Sequence, residues 1–167
     1  MRYAQIRSMD ISNGEGIGVA LFVQGCHFHC ENCFNQETWD FDGGKPWTNQ
    51  TKKQFIELAK QPYITRISIL GGEPLSNENT NAIADLLNHL RKVFGNRKKI
   101  WLYTGYTFEE LTSNIKGVLL KYIDVLVDGV YVDRLKDYNL KFRGSSNQRV
   151  IDVQATLKTG KVVLYTE

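Results

Sequence analysis

The chain has 167 residues, is 42% hydrophobic, carries a formal net charge of +3 and contains three cysteines. That length supports a single core and one domain, and the ordinary apolar content argues against disorder. The small, scattered charge argues against nucleic-acid binding; no apolar run approaches membrane-spanning length, the first ten residues (M-R-Y-A-Q-I-R-S-M-D) form no apolar signal region, and reduced-looking cysteines suggest the cytoplasm.

In chain order, residues 3–9 alternate weakly, as a short strand would, and Asn13-Gly14-Glu15-Gly16 reads as a turn. Residues 19–23 (V-A-L-F-V) form a continuous apolar run, expected of a strand buried on both faces. After the cysteine-bearing segment, residues 42–46 (D-G-G-K-P) read as loop, and Thr48 or Thr51 can cap a helix carrying Phe55, Ile56, Leu58 and Ala59. A strand over 64–70 stops at Gly71-Gly72-Glu73-Pro74. A helix over about 77–94 follows, with Ile83, Leu86, Leu87, Leu90 and Phe94 on one stripe and Gly95 as its stop.

Arg97-Lys98-Lys99 reads as a solvated turn before a strand over 100–103, which ends at Thr104-Gly105-Tyr106. Thr107-Phe108-Glu109-Glu110 has the form of a capping box. A strand over 123–127 ends at Asp128-Gly129. Beyond Tyr131 the pattern weakens until 149–153 and 161–165, two short extended pieces around a Thr159-Gly160 turn.

Strands alternating with helices favour α/β architecture with a largely parallel sheet. In such folds the site forms at the carboxyl ends of the strands, so the cysteine segment, G-G-E-P, T-G-Y and D-G should meet on one edge. A complete eight-unit barrel takes about 250 residues, so a chain of this length can form only an open part of one.

Cys26, Cys30 and Cys33 lie within G-C-H-F-H-C-E-N-C-F at 25–34. Three crowded thiolates make a metal cage, and their odd number cannot pair completely as disulfides. On a cubic iron–sulfur cluster they would leave one iron without a protein ligand, open for chemistry. A structural zinc site, with His27 or His29 as fourth ligand, is the other reading of the same residues. His89, between apolar positions of the long helix, reads as packed or surface-facing.

The spacing C-x3-C-x2-C resembles the signature of the radical S-adenosylmethionine (SAM) enzymes. The commonest form of that family has an aromatic just before the third cysteine; here Asn32 stands there, and Phe34 follows Cys33. The longer string C-x-H-x-C-x-N-C-F-N-x-x-x-W, ending at Trp39, is similar to the small activating enzymes of glycyl-radical proteins. Phe142-Arg143-Gly144-Ser145-Ser146-Asn147-Gln148-Arg149, with Y-T-G-Y at 103–106 and V-L-V-D-G at 125–129, resembles the activating enzymes of anaerobic (class III) ribonucleotide reductases. The resemblance runs to about Asp152, and the residues from about 153 look like a variable extension of a single radical SAM domain.

That resemblance implies an open, partial parallel β/α barrel holding a [4Fe–4S] cluster on Cys26, Cys30 and Cys33, with SAM on the open iron. It implies contacts to SAM from Asn32, Cys33, Phe34 and the G-G-E element Gly71, Gly72 and Glu73. Thr104 and Asp128, at strand ends, suit either a ligand role or turn stabilisation. Arg143 and Asn147 are candidates for ordering SAM or a docked partner loop. The implied reaction is reductive cleavage of SAM to a 5′-deoxyadenosyl radical, which takes hydrogen from a glycine of the reductase large subunit. The implied electron donor is flavodoxin or a similar protein, and no side chain need act as general acid or base. An activase of another glycyl-radical enzyme, such as pyruvate formate-lyase, and a zinc-stabilised binding module without catalysis are the competing readings.

Overall fold

The computed structural model describes residues 1–166. One seven-stranded sheet runs through it in the order β3-β1-β2-β4-β5-β6-β7. The strands are β1 (Arg2–Asp10), β2 (Gly18–Val23), β3 (Lys45–Pro46), β4 (Arg66–Gly71), β5 (Lys99–Tyr103), β6 (Val125–Asp128) and β7 (Arg149–Asp152). The neighbouring pairs from β2 through β4 and β5 to β6 are parallel, whereas β1, β3 and β7 pair antiparallel at the two sides. The sheet is therefore mixed, with the expected parallel strands at its centre.

The helices α1 (Asn49–Ala59), α2 (Thr80–Phe94), α3 (Phe108–Thr112) and α4 (Val153–Thr159), and a 3-10 segment at Ile115–Tyr122, put their apolar residues into one core cluster. Val19, Leu21, Val23, Ile67, Ile69, Ile100, Leu102, Leu126 and Ile151 supply the strand side of that cluster. Alternate residues, including Ala20, Phe22, Leu70, Trp101 and Val127, occupy the other face of the sheet. All four α-helices thus cover one face. The opposite face meets Phe142 and Tyr165, both edge-on to Trp101 at 5.1 and 5.2 Å.

Local chemistry explains most boundaries. Thr48 caps α1 by accepting from the Thr51 N–H, and Thr107 and Glu110 complete both halves of the capping box on α3. Gly95 closes α2 at a φ of 56°. Three expectations change. Lys45–Pro46 forms a short edge strand where loop was expected, because Arg2 and Tyr3 offer it unpaired backbone. Helix α2 begins at Thr80, because residues 73–79 form a turn held by Ser76 and Asn79. Residue 153, expected to be extended, instead opens α4, which Asp152 caps and Gly160 ends in the left-handed region. The tail then returns, and Leu164 bridges Ile151 of β7.

Beneath the sheet face that carries no helices, Arg66 is fully buried and pairs with Asp10 at 3.1 Å, each side chain 1% exposed. Its guanidinium also donates to the carbonyls of Asp10, Asn13 and Glu15, tying the 10–16 turn across the N-terminal ends of β2 and β4. Burial opposes ionisation of Asp10, but hydrogen bonds from Asn13 and the Arg66 guanidinium outweigh it and hold the carboxyl below its ordinary value.

Candidate active site

The four strand-end segments do meet, and the cysteine loop lies across them. β2 delivers the loop directly: the Glu73 N–H donates to the Gly25 carbonyl at 2.7 Å, and the Gly72 N–H to the Val23 carbonyl at 2.8 Å. A Cβ on Gly72 would lie 2.4 Å from the Gly25 oxygen, so a glycine is required where these two backbones touch. Gly71, at a φ of 106°, crosses Val23 as closely. Phe28 covers the T-G-Y turn, with its ring against Gly105 and edge-on to Tyr106 at 5.1 Å. Further along, Phe34 packs on Tyr131 at 5.0 Å, beside Gly144.

The three cysteines are free and half-buried. Each sulfur has a backbone donor. The N–H groups of Phe28 and His29 serve Cys26, that of Tyr131 serves Cys30, and the Asn35 N–H reaches Cys33 Sγ at 3.4 Å. Burial nevertheless pushes the Cys26 and Cys30 thiols above their ordinary value, so a bound cation would be needed to hold them as thiolates. Among the described residues no three His, Cys, Asp or Glu side chains gather around one metal-sized point. A cubic cluster takes one thiolate per iron and needs no such convergence. Free thiols with N–H donors at each sulfur are a donor set that fits it.

The neighbouring histidines are engaged elsewhere. His27 pairs with Glu78 at 2.8 Å, and His29 stacks on Trp39 at 4.4 Å. His29 and Asn32 both adopt positive φ, 47° and 57°, which lets the loop turn sharply between its cysteines.

Glu73 does not face open space. Its carboxylate, 2% exposed, accepts from the Leu75 N–H, the Thr104 hydroxyl and the Gly105 N–H at 2.7–2.8 Å. It joins the turn after β4 to the turn after β5. Burial pushes it up to about 7, against the opposing donors and the Lys116 ammonium. Thr104 is thereby accounted for. Asp128 is buried too, and accepts from the Phe108 N–H at the start of α3 and from Arg149, which also grips Glu109.

Cys33 and Phe34 open onto a cavity of about 590 Å3 over the helix-free face of the sheet. Phe22, Leu70 and Tyr103 form its floor; Arg7, Ser12 and Asn13 bound one side, and residues 131–148 bound the other. Of the sequence-derived candidates, this cavity gathers Asn32's neighbours Cys33 and Phe34 with Arg143. Glu73, Thr104 and Asp128 act in the buried frame behind it. Sequence reasoning passed over Tyr131 and Asp133. Asp133 accepts from Asn32 at 2.8 Å and from the Tyr131 hydroxyl at 2.9 Å, bracing the cysteine loop from a segment without periodicity.

Comparison with known proteins agrees with this arrangement. The family described as "4Fe-4S single cluster domain" matches residues 12–151. A protein of Vibrio cholerae is 39% identical over 150 residues, spanning 89% of this chain and 96% of its own length. One from Enterobacteria phage T4 is 39% identical, spanning 90% and 93%, and one from Escherichia coli K12 is 41% identical, spanning 90% and 97%. Each of the three bears the name anaerobic ribonucleoside-triphosphate reductase-activating protein. With identity at this level over nearly whole chains, and a cysteine loop built as described, the protein belongs to the family of anaerobic ribonucleoside-triphosphate reductase-activating proteins.

Proposed function

We propose that the protein is a radical SAM activase that installs the glycyl radical of an anaerobic ribonucleoside-triphosphate reductase. The observation that carries this reading is the cysteine loop: three free thiols, each with a backbone N–H at its sulfur, pressed onto G-G-E-P through Gly25 and Gly72. Cys26, Cys30 and Cys33 would hold a [4Fe–4S] cluster, which with SAM supplies one-electron cleavage of the sulfonium and abstraction of hydrogen from a glycine.

The chain's own residues bind, orient and exclude. The N–H donors favour thiolate over thiol and tune the sulfurs. Gly71 and Gly72 bring backbone against the loop, and Glu73 fixes the adjacent turn through Thr104 and Gly105. Phe22, Leu70, Tyr103 and Phe142 give the cavity an apolar lining on the sheet side. Helices on one face only, with a cavity on the other, support an open parallel β/α barrel in one radical SAM domain. The free cysteines suit a reducing compartment, the cytoplasm, with flavodoxin or a similar donor as reductant. No helix among the described residues is long and apolar enough to cross a membrane.

The test is electron paramagnetic resonance of anaerobically reconstituted, dithionite-reduced protein with and without SAM. A [4Fe–4S] signal that SAM changes is expected, followed by a glycyl radical signal when the reductase is added. Stoichiometric zinc with no cluster signal would overturn the proposal.

A further inference from the structure

Within R-G-S-S-N-Q most of the polar side chains serve the turn itself. Ser145, fully buried, accepts from the Val132 N–H and donates to Asn147. Asn147 donates to the Val130 carbonyl, and Gln148 accepts from the Gly144 and Ser145 N–H groups while donating to the Gly129 carbonyl. These bonds fold residues 129–148 into a strap beside the cysteine loop.

Arg143 is different. Only its Nη1 is engaged, donating to the carbonyls of Ser146 and Gln148. Among the described residues nothing accepts from its Nε or Nη2, and no carboxylate pairs with it. That free edge is the fork with which a guanidinium binds a carboxylate through two parallel bonds. Arg143 stands at the junction of two cavities. One, of about 590 Å3, reaches Cys33; the other, of about 490 Å3, lies outward of the strap.

Resting on the activase reading, we propose that Arg143 binds an acidic side chain of the partner reductase, beside the extended segment that enters the cavity. Charge complementarity favours this occupant. Arg143 and Arg149 line the outer cavity. Arg149 is neutralised by Asp128 and Glu109, whereas among the described residues no carboxylate pairs with Arg143. The ground around the junction also suits a protein: Tyr138 at the mouth of the inner cavity is 82% exposed, and Leu164 in the outer one 58%. A ligand held at the cysteine loop reaches only the inner cavity, whereas a polypeptide crossing the strap reaches both.

The test uses full-length, reconstituted protein and the reductase, with R143A and R143K. Lysine keeps a donor for the two carbonyls but has no fork, so it separates recognition from folding. Both variants should bind the reductase about tenfold or more weakly. Their cluster signal should respond to SAM as the wild type does. Unchanged reductase affinity in R143K would overturn the proposal. Loss of the SAM response with reductase affinity intact would also overturn it, assigning the fork to the carboxylate of SAM. A wild-type protein that failed to bind the reductase would sink the activase reading itself, and the proposal with it, before any variant was compared.

Discussion

Asn32 donates its side-chain amide to the Asp133 carboxylate at 2.8 Å, joining positions 101 residues apart. Asn32 lies between the second and third cysteines, and Asp133 also receives the hydroxyl of Tyr131, whose N–H serves Cys30. One carboxylate therefore steadies two thiols from outside their loop. Replacing Asp133 with Ala should leave the melting temperature close to wild type, because the site is at the surface. Iron should be lost faster from the reconstituted variant on anaerobic desalting. Equal iron retention would mean that the loop holds its shape without the strap.

The contact between Gly72 and the Gly25 carbonyl predicts the outcome of Gly72→Ala. The added methyl would meet that oxygen at 2.4 Å and the Thr38 carbonyl at 2.9 Å, both backbone atoms that cannot yield cheaply. Overpacking of this kind costs about 1–3 kcal/mol, and it should separate G-G-E-P from the cysteine loop. Urea denaturation should show the loss, and the SAM-dependent change in the cluster spectrum should weaken with it. Gly95→Ala is the control: no atom lies within 4 Å of the new methyl, so only the positive-φ strain remains.

Glu73 makes stability depend on pH. Its carboxyl is raised from 4.5 to about 7 by burial, so the folded chain holds a proton that the unfolded chain releases. Its stabilising contribution is full below pH 4.5 and is lost as pH rises through 7. The expected loss is on the order of 3 kcal/mol across that window. Unfolding free energies of wild type and Glu73→Gln at pH 5 and pH 7.5 check it: the wild type should fall with pH and the variant should stay nearly flat. Parallel slopes would show that another group titrates there.

Asp10 and Arg66 form a closed pair, each side chain 1% exposed. Removing one partner strands the other charge, at a cost of about 3–5 kcal/mol. Asp10→Ala should therefore lower the thermal midpoint sharply, and Asp10→Asn less so, because its single amide oxygen can still accept one of the two Asn13 bonds. A near-neutral Asp10→Ala would mean that Arg66 is satisfied by its carbonyl acceptors alone.

The pattern of the chain revealed what repeats and hid what does not. Residues 19–23 announced a strand buried on both faces, and all of β2 is buried. Thr107 and Glu110 announced a capping box because its chemistry is local, and both halves form. Helix α4 was hidden because its seven residues, V-Q-A-T-L-K-T, show no helical stripe; its signals are Asp152 and Gly160 at the ends. The pairing of Arg66 left no local signal, since its partner lies 56 residues away. The three cysteines stood out in the sequence by their spacing. Their braces did not: Tyr131 and Asp133 sit in a segment whose order comes from side-chain bonds to backbone, which leaves no period in the sequence.

The strap also sets an order of events. The cysteines emerge from the ribosome early, but the N–H that serves Cys30 and the carboxylate that holds Asn32 come from residues 131 and 133. The turn that shapes those two residues closes only with Ser145 and Gln148. A nascent chain thus carries three thiols whose surroundings are incomplete until residues 145–148 have been made. A truncation before the strap would leave the cysteine loop without these braces.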